Sequence, residues 1–477
     1  MKTRLALSRC LSACLPAAAF GLVLVAGTAW AQSAADQSAA DASDPSGIAS
    51  DESPGADASL NTFGENGETA QEMRDAEALR ELRRDNIREE PIDGIRPRRL
   101  ANDELTPGIR VGTFIFRPTL TESLGTERRS TGRKSESRTF LQTGLKGSLV
   151  SDWSLHQLTV DMQGSWQKTL SGETDDDPEG RIDAALKLDL SDSTIANLRL
   201  GYSLEREDVG DPNAVSGAAV QSLVSTYTAG AAITHDMGLI RATLGTDLER
   251  ETYGDVKLSD GTVVRQSDRN ANTAIVRGRL GYELSPALIP FLEASYGKMI
   301  HDNRTDSLGY RRDADLYAAR AGVELDFGEK LRGEIGAGYT LADFDDPRLK
   351  SLAAVAIDGS ATWSPRRGTD VVLGLKTEIE PSTTAGASGS VAYQANAALT
   401  QAILNDLSGR LSSSTTFRDY SAGNVPNQWV YNLGAGLTWN ISRSLDLTTD
   451  AVWERSTQKG SADTDVFTAG IGLSLKR

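Results

Sequence analysis

Cysteine is nearly missing from this chain: of 477 residues only Cys10 and Cys14 are cysteine, both inside an N-terminal stretch with the marks of a removed leader. Without a thiol in the mature chain, disulfides, zinc–thiolate sites and cysteine nucleophiles are excluded. Histidine is almost as scarce. His156, His235 and His301 show no paired ligand spacing, and the sequence holds no H-E-x-x-H, G-x-S-x-G or phosphate-binding loop. Hydrolytic chemistry needs a base beside a nucleophile or a metal, so the chain reads as a non-enzyme with no cofactor and no metal site. Long apolar runs are lacking too: no internal stretch approaches the roughly 18 residues of a membrane helix, which excludes a helical membrane protein. Positive charge is in deficit, with 50 Lys and Arg against 66 Asp and Glu and a formal charge of -16. A general affinity for nucleic-acid phosphates is therefore not expected.

What is present begins with the leader. Lys2, Arg4 and Arg9 precede an apolar stretch from Leu15 to about Ala26, and Ala29-Trp30-Ala31 supplies a small-x-small cleavage site, so residues 1–31 read as a signal peptide. Residues 32–106 hold 18 acids, 8 Arg and few apolar residues. That composition predicts a mostly disordered, periplasmic segment. The capping box Thr69-Ala70-Gln71-Glu72 opens one short helix at about 70–90, stopped by Pro91, whose thin apolar stripe is the place where a periplasmic partner would dock.

From 107 to 477 the chain falls into segments of alternating apolar and polar residues. In Lys330 to Leu341, Leu331, Ile335, Ala337, Tyr339 and Leu341 share one face and Arg332, Glu334 and Thr340 the other. Alternation alone fits a soluble sandwich or a barrel, and the connections discriminate. About 18 segments are joined by alternately short and long links: short at Asp192-Ser193 or Gly328-Glu329, long at Ser171 to Gly180, Arg206 to Gln221 or Tyr253 to Arg269, with Glu122 to Ser135 as the first long loop. A sandwich has no reason to keep that rhythm, whereas a transmembrane antiparallel up-and-down β-barrel does. Aromatics in the apolar phase cluster at the ends. Trp166, Tyr202, Tyr296, Tyr339, Trp429, Tyr431 and Trp453 fall at the long-loop end, and Trp439 belongs to a sparser belt at the short-turn end. Rings settle in this way at the two headgroup levels of a membrane.

The stretch Pro107-Gly108-Ile109-Arg110-Val111-Gly112-Thr113-Phe114-Ile115-Phe116-Arg117-Pro118-Thr119-Leu120, after an acidic, Arg-bearing lead-in, resembles the opening strand of the putative beta-barrel porin 2 family. The resemblance implies an outer-membrane location, with outer-membrane lipid, lipopolysaccharide and the barrel assembly machinery as partners. It also brings in exopolysaccharide export, with which some members are associated. Two features depart from the family pattern: the missing Asp/Asn-rich loop after the first strand, and the ending Leu473-Ser474-Leu475-Lys476-Arg477 without a terminal aromatic.

A barrel of this size encloses water, and its polar phase decides what passes. The candidate lumen-lining residues are Arg181, Arg199, Arg241, Arg277, Arg279, Arg320, Glu324, Asp326, Arg332, Glu334, Lys376 and Glu378, with Phe140 and Phe291 as the main aromatics of that phase. Bases and acids are balanced, which points to a weakly selective, passive diffusion pore for small solutes. The alternatives are an export barrel working with periplasmic partners and a non-conducting structural or adhesive surface barrel. Register sharpens the picture at Gly328: a three-residue connection sets Asp326 opposite Arg332 and Glu324 opposite Glu334, with Arg332 bridging Asp326 and Glu324.

Overall fold

The computed structural model describes residues 108–172, 177–207, 213–215, 218–258, 260–382, 386–420 and 426–477. The leader, the acidic segment and its expected helix lie outside the described residues. The barrel strands are β1 (Phe114–Thr131), β2 (Lys134–Ser151), β3 (His156–Ser171), β4 (Asp177–Ser191), β5 (Thr194–Arg206), β6 (Leu223–Asp236), β7 (Ile240–Tyr253), β8 (Ala271–Tyr282) and β9 (Leu288–His301). They continue with β10 (Ala314–Asp326), β11 (Leu331–Phe344), β12 (Leu352–Arg366), β13 (Thr369–Pro381), β14 (Gly389–Ala402), β15 (Leu407–Asp419), β16 (Gln428–Ser442), β17 (Leu445–Gln458) and β18 (Thr464–Lys476). Each pairs antiparallel with its neighbours in sequence, and β18 returns to β1 from Thr119↔Lys476 to Thr131↔Thr464, closing the ring. Below that seam Ile109–Val111 folds back on Phe114–Phe116 and covers the edge of β1 that β18 does not reach. Among the described residues no long strand edge is left unpaired, which is what lets a sheet sit in lipid.

The shortest strand, Ala271–Tyr282, has 12 residues, enough for the roughly 9 to 11 that a tilted membrane-crossing strand requires. The outer face explains why these residues form a barrel at all. Leu244 and Leu292 are 64% and 65% exposed, and many other large apolar residues in their phase are exposed too, an arrangement that is unfavourable in water and favourable in lipid. Rings flank that band. Tyr202 packs on Tyr227 with centroids 4.9 Å apart, Tyr296 on Tyr317 at 5.3 Å, and Phe417, Trp429 and Tyr431 stack in series, all at the long-loop end. Trp166, Tyr339 and Trp453 share that face and end, and Trp439 stands at the short-turn end, where its indole donates to Asp406.

The expected long loop from Glu122 to Ser135 is corrected. Both strands run on to Thr131↔Lys134, and Gly132 and Arg133 alone make the turn, with Gly132 at φ +61°. The outer phase there carries Glu122, Thr126, Arg128 and Ser130, so this two-sided polar ribbon shows no apolar alternation to read. At Gly328 the expected register is the one found: Phe327 N–H donates to the Leu331 carbonyl, and Asp326 faces Arg332, Glu324 faces Glu334.

Candidate functional site

Residues of the polar phase meet inside the ring. Arg241 on β7 ion-pairs with Glu283, just past β8, and with Glu324 on β10 at 3.3 Å. Strands β7 and β10 are not neighbours, so only side chains crossing the concave, inner surface can meet in this way. From there a chain of pairs runs along the wall. Arg279 reaches Glu334 at 2.8 Å and Glu293 at 2.7 Å, with Glu324 at 3.9 Å, and its guanidinium lies 4.0 Å from the Phe291 ring centroid. Arg320 holds Glu293 at 2.5 Å and Asp358 at 2.8 Å. Arg241 is 6% exposed and Phe291 4%, so this wall is packed rather than solvated.

Glycine makes these crossings possible. Arg199, Gly230 and Asp247 stand side by side on β5, β6 and β7. The Arg199–Asp247 pair closes at 3.2 Å over Gly230, where a Cβ would sit 3.0 Å from the carboxylate and 3.3 Å from the guanidinium. Arg277 adds a second contact to Asp247 at 3.1 Å. Arg320 likewise crosses β11 at Gly338, where a Cβ would stand 2.6 Å from the arginine's own Cβ.

The other candidates are also paired: Arg181 with Asp183 at 2.7 Å, Lys376 with Glu378 at 3.1 Å, and Arg332 with Asp326 at 3.2 Å. Arg332 does not bridge to Glu324 as expected. Its Nε donates instead to Asp326 and the Gly328 carbonyl, while Glu324 is taken by Arg241 and Arg279. Register relates neighbouring strands only, and curvature brings in strands two and three places away. Glu293 and Asp358, missed among the candidates, were legible as charged residues in the inner phase. Strands β14 to β17 differ in kind: their inner face carries Gln394, Asn396, Thr400, Ser412, Ser414 and Asn432, half-buried or exposed.

The long-loop end is partly covered. Asn213, in the connection after β5, donates to the Pro381 carbonyl at 2.9 Å, at the end of β13, almost diametrically opposite in the ring. Gln221 braces this connection by bonding both the N–H and carbonyl of Val215, and the buried Glu207–Arg269 pair at 2.5 Å ties it to the connection after β7. A small three-stranded sheet, Ala218–Val220, Val256–Leu258 and Val263–Val264, joins the same two connections. A second group forms above β8 to β13. Ala271, Met299, Ala314, Ala342, Phe344, Leu349 and Leu352 make an apolar cluster on the inner face, an arrangement the balanced polar phase did not predict. Arg312 fastens it, with Asp306 at 2.6 Å and the carbonyls of Ser382 and Ala387 as acceptors. In the next connection Asp346 accepts from the Arg348 side chain at 2.7 Å and from the Arg311 and Arg348 amides, which together hold its carboxyl well below the usual range. Among the described residues no group of three or more His, Cys, Asp or Glu could hold a metal.

Comparison with solved structures shows outer-membrane barrels. Acinetobacter baumannii OccAB4 is 11% identical over 76% of this chain and 98% of that one, with a TM-score of 0.39. The copper transporter OprC is 10% identical over 77% and 82%, with a TM-score of 0.41. Pseudomonas aeruginosa OccK2 (OpdF) is 11% identical over 76% and 98%, with a TM-score of 0.39. No curated protein matches the sequence. The family model described as putative beta-barrel porin 2 matches residues 106–477, the whole of the barrel, and the chain therefore belongs to that family of outer-membrane barrels.

Proposed function

We propose that this barrel is a water-filled, weakly selective, passive diffusion pore for small solutes, narrowed at its long-loop end by the connections after β5 and β9. The observation that carries the reading is the pairing of the inner wall: the basic candidates Arg181, Arg199, Arg241, Arg277, Arg279, Arg320, Arg332 and Lys376 each stand within 3.3 Å of a carboxylate. Paired charges leave little net field to sort ions. Membership of a porin family supports the reading of a channel rather than an enzyme. With lipid and lipopolysaccharide around the outer face, the long connections face outward: a cysteine introduced at Asp260 is expected to be labelled on intact cells, and one at Glu329 is not.

Purified protein in planar bilayers is expected to give steady single channels with a reversal potential near zero in a salt gradient. Excision of residues 208–217 is expected to raise the conductance several-fold without loss of the folded band on gels. A barrel that inserts and never conducts would sink the pore reading in favour of a surface scaffold. Loss of secreted polysaccharide in a deletion strain would favour export.

A further inference from the structure

The triplet Arg199–Gly230–Asp247 has a counterpart on the hydroxyl-lined side of the ring. Arg410 on β15 stands opposite Gly436 on β16, and Gly436 opposite Asp450 on β17. All three are in the inner phase, with the same order of cation, glycine and anion across three strands. The pair, however, is open. Arg410 makes no hydrogen bond or ion pair among the described residues, and its Nε is buried without a partner. The Asp450 carboxylate is likewise unpaired among them, and lies over Gly470 on β18, 3.3 to 3.4 Å from where a Cβ of that residue would be. On its other side Arg410 faces Thr400 on β14, and beyond it Asp370 is engaged by the Ser364 hydroxyl at 2.5 Å.

A buried guanidinium nitrogen without an acceptor is unfavourable, and native interiors rarely leave one. Here the two charged groups sit on strands two apart, about 10 Å between backbones at the ordinary strand spacing, with a side-chain-free floor between them. A simple anion on Arg410 gains one group and feels repulsion from Asp450, and a simple cation meets the reverse. A solute bearing both charges gains both groups. We propose that Arg410, Gly436 and Asp450 form a binding site on the inner wall for small zwitterions of the amino-acid type, carboxylate on Arg410 and ammonium on Asp450. The site rests on the pore reading for its access to solute, though binding itself can be measured without conduction.

The test uses the full chain purified in detergent, with γ-aminobutyrate as the probe and butyrate and butylamine as single-charge controls, in titration calorimetry. γ-Aminobutyrate is expected to bind at least about tenfold tighter than either control, and to reduce single-channel current at the same concentrations. Arg410→Gln and Asp450→Asn are each expected to bring its affinity down to the level of the controls. The charge swap Arg410→Asp with Asp450→Arg is expected to restore binding in the reversed orientation, which a merely structural role would not do. Butyrate binding as tightly as γ-aminobutyrate, or an Asp450→Asn protein with unchanged affinity, would overturn the proposal. Conductance without binding rejects the site and leaves the pore standing; binding without conductance does the opposite.

Discussion

Strands β7 to β12 and strands β14 to β17 both present a polar face to the interior, and they satisfy it by different means. The first wall closes on itself: Arg241, Arg279 and Arg320 share Glu283, Glu293, Glu324, Glu334 and Asp358, and half of these residues are buried and the rest half-buried. The second holds pairs near its two ends, Arg418 with Glu380 at 2.9 Å and Lys476 with Asp446 at 2.8 Å, and between them carries hydroxyls and amides such as Ser414 and Asn432 that no side chain claims among the described residues. A pairing wall is rigid and costly to break, because each removed charge strands a desolvated partner. A hydroxyl wall is tolerant, and it is where a solute can replace water.

The largest expected contrast comes from charge removal. Arg279→Leu leaves Glu334 with no remaining partner among the described residues, and is expected to cost about 3 kcal/mol, the lower end for a broken buried pair because Arg241 and Arg320 still serve Glu324 and Glu293. Ser414→Ala on the hydroxyl wall should stay within about 0.5 kcal/mol. Urea unfolding of the refolded barrel measures both, and equal costs would erase the distinction between the walls. Next in size is Gly338→Ala. A Cβ there meets the Ala319 carbonyl and Arg320 Cβ, so the Arg320–Asp358 crossing must shift, at about 1 to 3 kcal/mol by the same assay.

A pH effect follows for the cap over β8 to β13. The Asp346 carboxyl is held below its ordinary value by the Arg348 side chain and by the Arg311 and Arg348 amides. Its contribution is fully present above the unfolded value near 4 and is lost as pH falls through the lower, folded one. Acidification from pH 5 to about pH 3 should loosen this connection, seen as faster proteolysis near Arg348, and Asp346→Asn should show the loosened pattern at neutral pH. The smallest effect is expected from Arg332→Ala. Its pair with Asp326 is partly solvated, so the cost is about 0 to 1 kcal/mol. Because Glu324 already has Arg241 and Arg279, only Asp326 is freed, and the reversal potential should move slightly towards cation preference. A large shift would mean that the lower mouth is less neutral than the pairs imply.

Much of this was legible before any coordinates. The alternation around Gly328 specified the Asp326–Arg332 pairing, because the side-chain period of two allows only one parity when both apolar faces must meet lipid. The same logic placed Trp166, Tyr202 and Tyr339 on the outer face and Arg181, Arg199 and Lys376 on the inner. Where the outer face leaves the membrane, as at Arg128 and Ser130, the apolar half of the signal disappears and the sequence reads as a loop although the strand continues.

The sequence by itself determined the number of strands, their hairpin order and, wherever one face is apolar, the face each residue takes, since these depend on local periodicity and on the environment of one face. Only the tertiary structure decided which inner charges meet. Arg241 and Glu324 are far apart in sequence and on strands that never pair, and it is the closure and curvature of the ring that bring them together. The same holds for Asn213 at Pro381, for the apolar cluster under Arg312, and for Arg410, whose inward phase could be read from the chain but whose want of a partner depends on every strand around it. Periodicity acts along one strand, whereas partnership is a property of the closed surface.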